Sequence, residues 1–305
     1  MTEPTPAPAL APVPAVRESF IRRLSPAAFV LLSLIGVFIL YQVIAGGLML
    51  VLAGGEIRED TVTLVRWSTL IGQLLFLLVP TLILTYLRYG SLREPLRFRW
   101  PDPVQLVVVL AGIFAFQQVM QGYLLLQESI PLPSALERII GPIKQMMETM
   151  YRLLLVSHSP GELVLVIVTV AVVPALSEEI LFRGLVQTDL ERIMAGWKSA
   201  VIAGIIFGLY HVNPFSLVPI IGIGIIFGLI VHRSGTIVLA MAAHFMNNLL
   251  ATVALSMNLD DDFLVTAPQG GVGAMEIALN TALFAVVFVA LMYYFIRITK
   301  PSVPV

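Results

Sequence analysis

The chain has 305 residues, 58% of them apolar and only 12% charged, with a formal net charge of -1 and a mean hydropathy of +0.93. An average soluble domain carries roughly 25% charged residues, so this composition excludes an ordinary soluble globule and indicates a polytopic membrane protein in contact with a lipid bilayer. No basic stripe is present to neutralise phosphates, which excludes a nucleic-acid partner, and the lack of cysteine excludes disulfides, a thiolate nucleophile and thiolate metal ligands.

Residues 1–26 open with Pro and Ala, including Pro4-Thr5-Pro6-Ala7-Pro8, and read as a disordered, polyproline-like cytoplasmic tail ahead of the bundle. Arg17, Arg22 and Arg23 follow that opening and precede a long apolar run, which is not the layout of a cleaved signal peptide. Eight apolar stretches then recur: Ala27 to Ala53, Ser68 to Leu87, Val104 to Leu126, Leu163 to Leu190, Ala200 to Val212, Phe215 to Val231, Thr236 to Met257, and Met275 to Ile296. The expected fold is therefore all-α, a transmembrane helical bundle of about eight spans over residues 27–298, and a polar cavity lined by the fourth, fifth and seventh spans is expected inside it. The fifth and sixth stretches are short and are separated by Asn213-Pro214, which predicts two short helices joined by a tight turn. Between the third and fourth, residues 127–160 space charges through apolar positions and predict an interfacial amphipathic helix, a lid or a gate.

Lys and Arg orient the bundle. With the N-terminus inside, twelve basic residues lie on the cytoplasmic side and five, including Arg66, on the other, so both termini are expected in the cytoplasm. The outer loop with Asp260-Asp261-Asp262 has no basic residue, which agrees. A compact chain with this bias and no targeting segment suits a bacterial plasma membrane.

The costly residues are polar ones inside the spans. Glu178, Glu179 and Arg183 lie in the fourth, and at mid-bilayer each ionised side chain costs at least about 2.5 kcal/mol on insertion scales. His211 lies in the fifth, and His244 and Asn248 in the seventh. At ~1.5 Å per residue, Glu178, His211, His244 and Asn248 fall at a common depth, so they are able to meet. Glu179 and Arg183 are four apart and neutralise each other in part, as i and i+4 on one helix face, which leaves Glu178 without that partner. A carboxylate beside an imidazole suits a general base that takes a proton from water. His244 and Asn248 share a helix face and could donate to the oxyanion of a tetrahedral intermediate, although Asn248 serves equally well as glue between helices. Gly204-x-x-x-Gly208 and Gly224-x-x-x-Gly228 predict close helix packing.

Glu178-Glu179-x-x-x-Arg183, Phe207-x-x-x-His211 and His244-x-x-x-Asn248, in this order inside apolar spans, resemble the three motifs of the CPBP family of intramembrane proteases. That family includes the CAAX prenyl protease 2 (type II, Rce1-like) enzymes and bacteriocin-processing peptidases. The motif-bearing core covers residues 163–257. The resemblance implies an intramembrane endopeptidase acting on a membrane-associated peptide or protein, prenylated in the CAAX-type case. In it Glu178 and His211 would activate water, His244 and Asn248 would stabilise the oxyanion, and Glu179 and Arg183 would support them. Zn2+ held by Glu178, His211 and His244 and a metal-free glutamate mechanism both remain open, since one Glu and two His can supply a three-ligand zinc site but no His-Glu-x-x-His helix is present. A non-enzymatic alternative, a transporter or immunity-type scaffold that binds protons or ligands through the same carboxylates, would be expected to show paired repeats, and none is found.

Overall fold

The computed structural model describes residues 19–131, 133–256 and 274–301, so the tail before Ser19, the Asp260-Asp261-Asp262 loop and Met257 at the end of the seventh span lie outside the described residues. Every regular element described is a helix. In chain order these are α1 (Phe20–Arg23), α2 (Pro26–Leu52), α3 (Val62–Tyr89), α4 (Arg93–Leu96), α5 (Pro103–Glu128), α6 (Ser134–Leu155) and α7 (Pro160–Leu190). After these come α8 (Gly196–Tyr210), α9 (Leu217–Ser234), α10 (Ile237–Ser256) and α11 (Ala274–Ile298).

Three of the long helices start by one device. Ser25-Pro26, Asp102-Pro103 and Ser159-Pro160 each place a side-chain oxygen that accepts from a first-turn N–H, with proline at the first helical position. Gly90 and Gly235, both at positive φ, end α3 and α9. Among the described residues six helices are long and apolar enough to cross a membrane, and two shorter apolar ones, α8 and α10, complete the eight expected stretches. Large side chains at Met275, Leu279, Leu283, Val286, Val289 and Tyr293 form an exposed stripe along α11, spaced three and four apart, which is the lipid-facing surface a bundle of this kind needs.

α7 is the hub. Every residue from 179 to 191 is buried, with Leu181, Phe182, Leu185 and Val186 at the centre of the apolar core. A helix apolar all round is stable where other helices enclose it.

Beside it α8 and α9 form the expected hairpin. A Cβ on Gly224 would come within 2.8 Å of Gly204 O, and one on Gly228 within 2.8 Å of Ala200 O, so the two backbones touch where the glycine pairs meet. α8 has 15 residues, about 22 Å at ~1.5 Å per residue, and stops short of the ~30 Å of hydrocarbon. His211 sits at its end. The chain reverses through Val212 at φ 51 and Asn213, whose Oδ1 accepts from the N–H groups of Phe215 and Ser216. α9 corrects one expectation, because its 18 residues are enough to span.

Three charges expected in loops are inside the protein. Arg66, expected in the outer loop, lies within α3 and is 2% exposed. It donates to the carbonyls of Leu153, Leu154 and Val156 at the end of α6, groups with no N–H partner further along their own helix. Arg88 pairs with buried Asp189 and also donates to the carbonyls of Ile21, Arg22 and Leu24, which pins α1 to the bundle. Arg97 pairs with Glu191. Residues 19–25, expected to belong to the disordered tail, are thereby structured.

Candidate active site

The first motif lies where α7 departs from regular geometry. π-helical stretches at Val168–Val172 and Ile180–Gln187 flank the segment that carries Glu178 and Glu179, and two more, Ile39–Ala45 in α2 and Gln73–Leu78 in α3, face the same region. Such wide turns recur at functional sites because they re-aim side chains without ending the helix.

Glu179 and Arg183 form the scaffold. Arg183 Nη1 donates to Glu179 Oε1 at 2.8 Å and its Nη2 donates to Gly224 O at 2.6 Å, with the guanidinium 4.8 Å from the Phe207 ring centroid and 5.3 Å from that of Phe227. The cation is thus met by a carboxylate, a carbonyl and two aromatic faces, which compensates its burial. Glu179 Oε1 also accepts from His244 Nδ1 at 2.9 Å. Phe227 stacks on the His244 ring at 22°, so both the position and the tilt of that imidazole are set.

His211 is held in a similar manner. Its Nδ1 lies 2.7 Å from Phe207 O, one turn back in α8, and the Phe207 ring packs 4.5 Å from its own. A carbonyl can only accept, as can a carboxylate paired with Arg183, so in both histidines Nδ1 carries the proton and Nε2 is the free atom. Both free atoms face one carboxylate: Glu178 Oε2 stands 3.6 Å from His211 Nε2 and 3.9 Å from His244 Nε2. Glu178 is 17% exposed at its side chain, and that oxygen is buried without a hydrogen-bond partner among the described residues. Three acceptor atoms thus converge.

Asn248 is turned away from this point. Its Nδ2 donates to Val170 O at 2.8 Å, and its Oδ1 accepts from Asn247 Nδ2 at 3.0 Å. Pro174, four residues after Val170, has no N–H to give that carbonyl, so the Asn248 amide takes over the bond that proline removes. Asn247 is in turn tied to Gln117 of α5. The expected set therefore divides: Glu178, His211 and His244 meet, Glu179 and Arg183 hold them, and Asn248 braces α7.

Residues 160–250 match the family model described as Type II CAAX prenyl endopeptidase Rce1-like. Over these residues the chain is similar to the Rce1-like family. Neither a curated protein nor a solved structure matches it. The matched Rce1-like region supports an intramembrane protease of the CAAX type, and it contains α7, α8, α9 and the part of α10 that bears His244 and Asn248.

Outside the domain, other helices shape access to Glu178. A cavity of about 360 Å³ has Glu178, Tyr210 and His211 on one side, and Tyr41 and Gln42 of α2 with Leu77 of α3 on another. Its remaining wall is α6, through Met147, Met150, Tyr151 and Leu154, the i, i+3, i+4, i+7 face of one helix. The sequence expectation of a cavity lined by the fourth, fifth and seventh spans is corrected here, since α10 places His244 behind Glu178 and does not line the space. Sequence reasoning missed Tyr41, Tyr210 and the α6 face; the apolar face of the 127–160 connection was the available signal for the last.

A catalytic zinc would need Glu178, His211 and His244 to converge on one point about 2 Å from each donor. Among the described residues no group of three or more His, Cys, Asp or Glu side chains is arranged to hold a metal ion. The donors as placed do not fit that centre, and the chemistry below uses the protein's own groups.

Proposed function

We propose that the Rce1-like domain hydrolyses a peptide bond of a membrane-associated substrate, of the prenylated CAAX class that the family description names, with Glu178 as general base. The observation that carries this reading is the convergence of Glu178 Oε2 with two imidazole Nε2 atoms whose other nitrogens are already engaged. Water held by Glu178 and His211 gives its proton to the carboxylate as its oxygen bonds to the carbonyl carbon. The tetrahedral intermediate then collapses, the C–N bond breaks, and Glu178 returns the proton to the leaving amine. His244, fixed by Glu179, shares the proton and keeps Glu178 oriented. The separations of 3.6 and 3.9 Å are long for direct hydrogen bonds, as is common in free enzymes before substrate draws the groups together.

With the buried Arg66, Arg88 and Arg97 set aside, ten basic residues against four still support cytoplasmic termini, in a bacterial plasma membrane on this reading. α6 joins α5 to α7 at the end of the bundle away from the termini, so a substrate passing this wall reaches Glu178 from the opposite face.

The test is cleavage of a fluorogenic prenylated CAAX peptide by the purified protein in detergent, beside Glu178→Gln and His211→Ala, each with and without a strong zinc chelator. Cleavage by wild type alone, unchanged by chelator, is the expected result. Chelator-sensitive cleavage would return the weight to zinc, and equal cleavage by Glu178→Gln would end the reading.

A further inference from the structure

Peptide hydrolysis needs a donor for the carbonyl oxygen as it gains charge, and the two residues expected for that task are occupied. Asn248 gives its amide to Val170 O, His244 gives Nδ1 to Glu179, and neither lines the cavity. A residue that does line it beside Glu178 and His211, and that carries a hydroxyl, is Tyr210, the last residue of α8. Its ring is gripped edge-on from two sides, by Phe38 of α2 at 5.3 Å and 85° and by Phe182 of α7 at 5.4 Å and 81°. Packing therefore sets the direction of the phenol.

The Tyr210 Oη is buried and has no hydrogen-bond partner among the described residues. Phenylalanine would make the same ring contacts and leave no buried O–H unmet, so packing does not account for the hydroxyl. A donor that is rigid, out of water, unengaged and adjacent in sequence to His211 has the properties of an oxyanion site, where no reorganisation is needed as charge develops.

Resting on the proteolytic reading above, we propose that Tyr210 Oη donates a hydrogen bond to the scissile carbonyl oxygen and to the oxyanion that replaces it. As the water oxygen bonds to the carbonyl carbon and its proton passes to Glu178, the carbonyl π pair moves onto oxygen and meets the phenol O–H. Tyr210 keeps its proton throughout. When that pair reforms the carbonyl, the C–N bond breaks and the amine takes the proton from Glu178.

The experiment is Tyr210→Phe in the full chain, purified in detergent, with the fluorogenic prenylated CAAX peptide as probe and Glu178→Gln alongside. kcat falls about 100-fold while KM stays within about twofold, the range for loss of one oxyanion donor. The thermal unfolding temperature stays the same or rises, because the ring contacts remain and an unmet hydroxyl is gone. Activity and stability thus move in different directions, which a merely structural hydroxyl would not produce. Wild-type kcat in Tyr210→Phe with an inactive Glu178→Gln overturns the donor and leaves the proteolytic reading standing. A fall in unfolding temperature also overturns it, and a wild-type protein that cannot cleave overturns both.

Discussion

α7 carries two buried charge clusters, one around Glu178 and Glu179 and the other around Asp189 and Glu191, and they differ in how completely their hydrogen bonds are met. Asp189 is fully buried, and its two oxygens accept from Arg88 Nε and Nη2 at 3.0 Å each, from Tyr89 Oη at 2.9 Å and from Arg192 Nη1 at 3.0 Å. Glu178 Oε2, about three turns earlier, has no partner within hydrogen-bond distance and faces two imidazoles. Burial and charge are common to both. Saturation separates them: both oxygens of Asp189 are engaged and hold helices together, whereas Glu178 Oε2 and Glu179 Oε2 are unpartnered among the described residues, and of these two glutamates it is Glu178 that lines the cavity, where it can take a proton from water.

The largest test of this contrast is Glu178→Gln. A positioned general base contributes about 100- to 10,000-fold, so cleavage should fall by that order while the unfolding temperature in detergent stays near that of wild type. At the other cluster the signs reverse. Arg88→Ala removes the two-pronged partner of buried Asp189, leaving it only Tyr89 and Arg192, and should cost about 3 kcal/mol, read as a lower unfolding midpoint, with kcat per folded molecule retained. If Arg88→Ala instead lost activity at normal stability, the division of the two clusters into structure and chemistry would be wrong.

Glu179→Gln probes the link between scaffold and site. It weakens the acceptor for both His244 and Arg183, and a loss of roughly 10- to 100-fold in kcat is expected, intermediate between the other two variants. Gly224→Ala brings a Cβ to 2.8 Å from Gly204 O, a backbone atom that cannot swing aside, and should destabilise by about 1–3 kcal/mol. The smallest effect is expected from Arg66→Ala, which frees the carbonyls at the end of α6; faster hydrogen exchange in residues 134–155, with the α7 core still protected, is its signature.

Much of the site could be read in the chain because the features involved are local. Ionisable side chains within long apolar runs stand out one at a time, and the i, i+4 pairing of Glu179 with Arg183 follows from helix geometry alone. Asn248 shows the limit. Its type and spacing suit an oxyanion donor, yet its amide goes to the carbonyl that Pro174 leaves without an N–H, a pairing between two helices that neither stretch announces. Arg66, Arg88 and Arg97 show it again, since counting charges by loop cannot tell a solvated arginine from one enclosed by carbonyls and carboxylates.

The sequence by itself determined the all-helical bundle, the eight apolar stretches, the α8–α9 hairpin and the identity of the polar residues within the membrane, because hydropathy, glycine spacing and helix phase are properties of neighbours along the chain. Only the tertiary structure decided that α6 walls the cavity, that Tyr41 and Tyr210 stand in it, and which carboxylate is saturated. Those depend on which acceptor lies across from which donor, and such distances exist only after distant helices pack.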